Sequence, residues 1–367
     1  MDPRPPVVVI GGGTSGSIVS RILADTTDIP VTVVEAGGRT DDDAPRFLDG
    51  LSDDVLWPGM PMPQARALGG GSAVNGMVLS GPVPQWLEGL TRVAREGEMG
   101  SVSRALVAAG GRPTRLWWNN GRWNPARSML HVEEEGRLRL VHGTAERIVV
   151  ENGAARAVVV DGSEIECSHV VMCAGALLTP ALLLASGAGD AVGEGLQNHP
   201  TVTFTVQRTD GDVGRFDATA VRETDSGRAK GLMVAFERVS ADDPSRAMFT
   251  VSLMNPVSRG RVTTAGADFA LLSDRRDVVA MEVVLESARA VVRNAGFTES
   301  TESSVHPVSH ASSSCARSVD AFGRLAGYAN ITVADASILP WVPEDTPAAS
   351  VTMVARRVAT ALGEALT

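Results

Sequence analysis

Three glycines, Gly11, Gly13 and Gly16, followed by Glu35 make the first chemistry-bearing pattern in the chain. They sit in VVVIGGGTSGSIVSRILADTTDIPVTVVEAGG, which reads as an apolar strand, a glycine turn, a helix and a second apolar strand ending in a carboxylate. In G-x-G-x-x-G the first glycine permits the tight turn and the second lets backbone approach a pyrophosphate. The third lets helix pack closely on strand. The helix start at Thr14 and Ser15 offers unpaired N–H groups and the positive end of a helix dipole to an anion. Glu35, with Ala36 after it, stands where a carboxylate can accept from a ribose diol. The combination predicts a dinucleotide site and does not separate NAD from FAD.

A second chemical candidate is SHASSSC at 309–315, where His310 stands beside a run of small hydroxyl residues. Alone it reads equally as a catalytic base or as a polar loop residue. His306 is the nearest competitor. The three cysteines, Cys167, Cys173 and Cys315, are an odd number without metal spacing and read as free thiols in a reducing compartment.

The elements that must position these residues follow a recognisable order. ALGGGSAVNGMVLSG, Ala67 to Gly81, is too rich in small residues for an ordinary helix and too long for a turn, so it reads as backbone laid against a flat or anionic ligand. VVMCAG is a buried strand ending in Ala174 and Gly175, followed by LLTPALLLASG as a helix closed by Gly187. ITVADAS is a strand delivering Asp335 and Ala336, and TPAASVTMVARRVATALGEAL is a helix with Pro347 and Ala348 in its first turn.

With these blocks in this order, and with ERIVVENGAARAVVV, VGEGLQNHP and NPVSRGRV between them, the chain resembles the glucose-methanol-choline (GMC) oxidoreductases, as an unusually short member. The resemblance implies an α/β fold: an FAD-binding Rossmann-like domain with a smaller α+β substrate domain containing an antiparallel sheet. It implies FAD, held by the first glycine motif and by Gly70, Gly71, Ser72, Asn75, Gly76 and Met77 of the second cluster. It also implies adenine contacts from Arg147 and Ile148, further contacts from Ala174, Gly175, Asp335 and Ala336, and a helix amino terminus at Pro347 and Ala348 facing the pyrimidine edge of the flavin. Some relatives bond the flavin to a histidine in the second cluster; the matching residue is Val74, so FAD is expected to be non-covalent.

The family motif H-x-x-x-T-C-x-x-G places His310 at the base for alcohol oxidation, with Ser314 and Cys315 matching its threonine and cysteine. The implied reaction is oxidation of an alcohol to a carbonyl by hydride transfer to flavin N5, on a specialised metabolite, with O2 or another carrier as electron acceptor. The usual second His or Asn aligns with Thr346, and a shift of one residue would offer Asp345. That departure keeps two alternatives open, a non-redox lyase on the same fold and a flavin-binding protein without catalysis.

Residues 1–81, 122–202 and 303–367 are expected to form a discontinuous FAD domain, 82–121 a shortened lid or connection, and 203–302 the substrate domain. TVTFTVQR, AKGLMVAFERV and MFTVSLMNP alternate as half-exposed strands, and RRDVVAMEVVLESARAVVRNAG has helical periodicity. Trp117, Trp118 and Trp123 read as packing rather than as a stacking platform. The acidic runs at 41–45 and 133–135 read as solvated turns. A net charge of -10 without a basic run argues against nucleic-acid partners. The absence of a long apolar run argues against a membrane span. An opening MDPRPPVVVIGGG leaves no room for a signal peptide, so a cytoplasmic location is expected.

Overall fold

The computed structural model describes residues 4–40, 44–189, 191–208, 210–297 and 300–367. Val7–Ile10 and Val31–Glu35 are buried at every position. Strands apolar on both faces need cover on both sides, which a parallel sheet between helices supplies. Here the sheet has five strands in the spatial order Ile331–Val333, His169–Met172, Val7–Ile10, Val31–Glu35 and Leu138–His142, all parallel. Thr14–Thr26 is the crossover helix between the first two strands in the chain. The last helix, Ala348–Leu366, packs along it, and a Cβ on Gly363 would stand 2.8 Å from Thr26 Oγ1. The end of the chain is thereby brought back to its beginning.

A six-stranded sheet forms the second layer, in the order Ser300–Glu302, Thr201–Gln207, Arg246–Leu253, Lys230–Phe236, Ala218–Asp225 and Arg112–Pro113. Its pairings are antiparallel throughout. Period-two alternation divides its faces. Met233, Ala235, Phe249 and Val251 pack with Met281, Val284 and Val291 of the Arg275–Asn294 helix. Leu232, Val234, Phe236, Thr250 and Ser252 point the other way, into the site. The fold is thus α/β with an additional antiparallel sheet.

Residues 82–121 are more than a connection. They hold the Ser101–Ala108 helix, whose Val102 and Leu106 join the core under the antiparallel sheet, and Arg112–Pro113 is that sheet's edge strand. Trp117 and Trp123 stack at 4.7 Å between ring centroids, and Trp118 meets Phe216 edge-on. None of the three lines the cavity described below. The run at 133–135 is the end of the Ala126–Glu134 helix and its cap, not a turn. Of the run at 41–45, residues 41–43 lie outside the described residues. Among the described residues no helix is long and apolar enough to cross a membrane.

Candidate active site

The two glycine segments meet. Gly13 and Gly69 form a parallel bridge, and a Cβ on Gly70 would lie 2.8 Å from the Gly13 Cα. Thr14 Oγ1 sits 2.6 Å from Ser72 Oγ and donates to the Gly69 carbonyl at 3.2 Å. Only residues without side chains allow backbone to cross backbone this closely. At Gly11, with φ +97°, a Cβ would be 2.6 Å from the Cys173 carbonyl oxygen. Gly16 packs beneath, where a Cβ would overlap the Gly11 carbonyl oxygen at 1.8 Å, so it serves helix packing and does not reach the cavity.

Above these segments a cavity of about 730 Å³ runs from the first glycine turn to the face of the antiparallel sheet. Its wall includes Gly11, Gly13, Thr14 and Ser15 from the first motif and Glu35 and Ala36 from the second strand. Gly70, Gly71, Ser72, Asn75, Gly76 and Met77 come from the second cluster. Ala174 and Gly175 follow the fourth strand of the sheet in chain order, Asp335 and Ala336 the fifth, and Pro347 and Ala348 open the last helix. His310 and Thr346 lie on the same wall.

Arg147 and Ile148 do not. The strand Ala145–Glu151 has a register shift between Ala145 and Arg147, so Ala145 and Glu146 meet the cavity, while the Ile148 N–H is taken by Ser186 Oγ at 2.8 Å. At this strand the cavity wall is thus formed by the residues just before the two expected there.

The donor set suits a dinucleotide. The helices starting at Thr14 and Ala348 carry no side-chain cap and no acid in the first turn, leaving N–H groups and the positive dipole end facing the cavity. Glu35 accepts from Gly12 N at 2.8 Å and Gly37 N at 2.7 Å, one bond per carboxylate oxygen, and each oxygen retains a lone pair for a diol. Burial raises its pKa against those bonds. Asp335 spends its carboxylate inside the protein, accepting from Gly175 N, Thr179 Oγ1 and Ser337 N. It ties the last strand of the sheet to the Gly175–Ala185 helix. Val74, on the same wall, has no nucleophilic atom.

Three of the four serines in SHASSSC have a structural task, while the buried Ser313 Oγ has no hydrogen-bond partner among the described residues. Ser309 Oγ donates to the Pro63 carbonyl at 2.7 Å, Ser312 Oγ to the His310 carbonyl at 3.0 Å, and Ser314 Oγ to the Ala176 carbonyl at 2.6 Å. The loop is thus fastened on several sides around the one imidazole that reaches the cavity. Cys315 is buried, with its thiol pushed up to about 12 by desolvation. His306 is engaged with Thr203 Oγ1 at 3.1 Å and does not line the cavity. His310 is partly open to the cavity yet deep in the protein, and desolvation lowers its pKa to about 4. It is neutral at ordinary pH.

Three residues that sequence reasoning did not single out support this arrangement. Arg122, buried, donates to the Asn75 carbonyl at 2.7 Å and to Asn75 Oδ1 at 3.0 Å. Asn124 sits directly under Gly69 and donates to the Leu68 carbonyl at 3.3 Å. His199, fully buried in LQNHP, places its Nδ1 2.9 Å from Nδ1 of His310. Each is a single polar residue whose sequence neighbours give no indication of its partner.

Comparison with known proteins agrees with this reading. The N-terminal and C-terminal models of the GMC oxidoreductase family match residues 108–201 and 256–355. An uncharacterised GMC-type oxidoreductase of Sinorhizobium fredii is 24% identical, over 96% of this chain and 94% of its own. A 5-(hydroxymethyl)furfural oxidase of a Methylovorus species is 23% identical, over 97% of this chain and 98% of its own. These alignments run over 482 and 519 positions, more than the 367 residues here, so the relatives carry segments that this chain lacks. Among solved structures, pyridoxine 4-oxidase from Mesorbium loti superposes with a TM-score of 0.80 at 19% identity, covering 98% of this chain and 99% of that one. At that identity the likeness concerns the fold.

Proposed function

This chain belongs to the GMC oxidoreductase family of FAD-dependent enzymes, and we propose that it oxidises an uncharged alcohol to the carbonyl compound with His310 as the base. The observation that carries the reading is the neutral His310 imidazole on the cavity wall between the nucleotide-binding glycines and the antiparallel sheet. FAD, when bound, supplies the acceptor for the hydride of the carbinol carbon. The protein's part is to hold the alcohol and take its hydroxyl proton onto an imidazole nitrogen. Thr346 Oγ1 accepts from Ser80 N at 3.2 Å, which leaves its own hydrogen to donate to the alcohol oxygen.

Charge narrows the substrate. Among the described lining residues the acidic ones are Glu35, Glu146 and Asp335, which belong to the nucleotide-binding elements. The wall formed by the antiparallel sheet is Leu232, Val234, Phe236, Thr250 and Ser252, apolar with two hydroxyls. A charged substrate would lose its hydration there without a counter-charge, so a neutral, largely apolar alcohol fits best.

The test is anaerobic mixing of the FAD-loaded protein with neutral aryl and alkyl alcohols, a quaternary-ammonium alcohol and a hydroxy acid, with flavin bleaching as readout. Bleaching confined to neutral alcohols supports the reading. Faster bleaching by a charged alcohol would overturn the substrate class, and none with any alcohol would shift weight to the lyase reading.

A further inference from the structure

LQNHP supplies three consecutive buried polar side chains, Gln197, Asn198 and His199, at 2%, 2% and 0% exposure, and each is spent on a different part of the catalytic loop's surroundings. Gln197 accepts from Val342 N at 3.1 Å and donates to the Pro256 carbonyl at 3.0 Å. Asn198 exchanges two hydrogen bonds with the Val308 backbone, at 2.6 and 3.1 Å, two residues before His310. The His199 ring stands at 88° to that of His310, with Nδ1 facing Nδ1 at 2.9 Å, and its Nε2 lies 2.8 Å from the Pro343 carbonyl oxygen. His199 does not line the cavity, so it acts from behind.

A carbonyl oxygen can only accept, so Nε2 of His199 carries a proton and donates it to Pro343. A neutral imidazole has one ring proton, which leaves Nδ1 of His199 as an acceptor. The Nδ1-to-Nδ1 hydrogen bond then requires the proton on Nδ1 of His310, and Nε2 of His310 keeps its lone pair. We propose that His199 is a positioning residue that fixes His310 in the tautomer protonated on Nδ1, leaving Nε2 as the nitrogen that receives the alcohol proton. His199 stays neutral because burial, and next the neighbouring His310, push its pKa down to about 3 against the pull of the Pro343 and Met254 carbonyls. Once His310 has taken a proton on Nε2 it is a cation donating from Nδ1 to His199, a charge-assisted bond stronger than the neutral one. The same contact thus orients the base beforehand and stabilises it afterwards. The inference rests on the reading of His310 as base; the tautomer itself does not.

The tautomer can be read without turnover. The chain has six histidines, so long-range proton–nitrogen correlation spectra of the histidine-15N-labelled, FAD-loaded protein near pH 8 can be assigned with single His→Gln variants. The expected result is an N–H at Nδ1 and a bare Nε2 for His310, with the reverse for His199. An N–H at Nε2 of His310 would overturn the proposal. His199→Phe, which removes the acceptor, should mix the His310 tautomers and slow flavin reduction about 10- to 100-fold at unchanged FAD content. His199→Asn, which can still accept from His310 Nδ1, should keep the tautomer and stay within a few-fold of wild type. Equal losses in the two variants would indicate a merely structural role and count against the proposal. If His199→Phe does not fold, the wild-type spectrum decides. The expected tautomer in a protein whose flavin no alcohol reduces would sink the base reading while leaving the positioning contact in place.

Discussion

Ser80 and Thr346, 266 residues apart in the chain, exchange two hydrogen bonds: Ser80 N donates to Thr346 Oγ1 at 3.2 Å and Thr346 N donates to Ser80 Oγ at 3.0 Å. Both side chains are buried. The pair fastens the end of the second glycine cluster to the start of the last helix, so the two sides of the cofactor site are set against each other. Thr346→Val keeps the shape, orphans Ser80 N and removes the donor proposed for the alcohol oxygen. It should cost about 1–3 kcal/mol of stability and slow flavin reduction by roughly tenfold. Ser80→Ala should show the stability loss with a smaller rate effect. Denaturant titration and stopped-flow reduction of the two variants separate the tasks, and equal rate losses would show that Thr346 does not touch substrate.

His310→Ala should slow flavin reduction by roughly 100-fold or more, the scale of a lost general base, with FAD content intact. The pH profile has a definite sign. The base works when neutral, and burial sets its pKa near 4, so kcat/KM should be flat from pH 8 to about 5 and decline only below that. An acid limb centred near 6.5, the unperturbed value for histidine, would mean that the imidazole is solvated in the working enzyme.

Glu35→Gln replaces one carboxylate oxygen by an NH2 group that cannot accept from Gly12 N or Gly37 N, so it loosens the glycine turn along with the expected ribose contact. FAD binding should weaken by about 1–3 kcal/mol, the scale for a hydrogen bond to a charged group, measured by titrating FAD into apoprotein. Unchanged affinity would place the ribose elsewhere. Since Val74 offers no atom for a covalent link, acid or heat should release all FAD into the supernatant. Yellow colour left on the precipitated protein would contradict this.

The parts of the site legible in the sequence are those where one local demand selects one residue type. Gly11, Gly16 and Gly70 are glycine because a Cβ would collide with backbone, and such demands leave a spacing that can be read directly. His310 was legible only in company, once the rest of the site had been recognised. Arg147 and Ile148 lie off the cavity wall because a one-step irregularity in the strand changes which residues face the cavity, and a run of residues favourable to a strand does not record it. His199 and Arg122 were invisible for a different reason. Each meets its partner across 111 or 47 positions, and a single polar residue carries no mark of the contact it will make.

His169 gives a prediction about stability rather than chemistry. It lies in the central sheet, with Nε2 2.9 Å from Thr332 Oγ1, and desolvation first, then the Arg324 charge, lower its pKa to about 4 from the ordinary 6.5. The native state therefore refuses a proton that the unfolded chain accepts between pH 6.5 and 4. This group costs nothing above about pH 7, and it destabilises the fold increasingly as the pH falls through 6.5 towards 4, by up to about 3 kcal/mol when the shift is converted at 1.36 kcal/mol per pH unit. Buried carboxyls whose pKa values are raised, Glu35 and Asp335 among them, act in the opposite sense over part of that range, so the wild-type profile alone does not isolate the histidine. The difference between wild type and His169→Gln does. Their unfolding free energies should differ by a constant above pH 7, and the variant should gain on wild type steadily from pH 6.5 to 4.5. Parallel curves over that interval would show that His169 is protonated in the native state, and that its bond to Thr332 survives the charge.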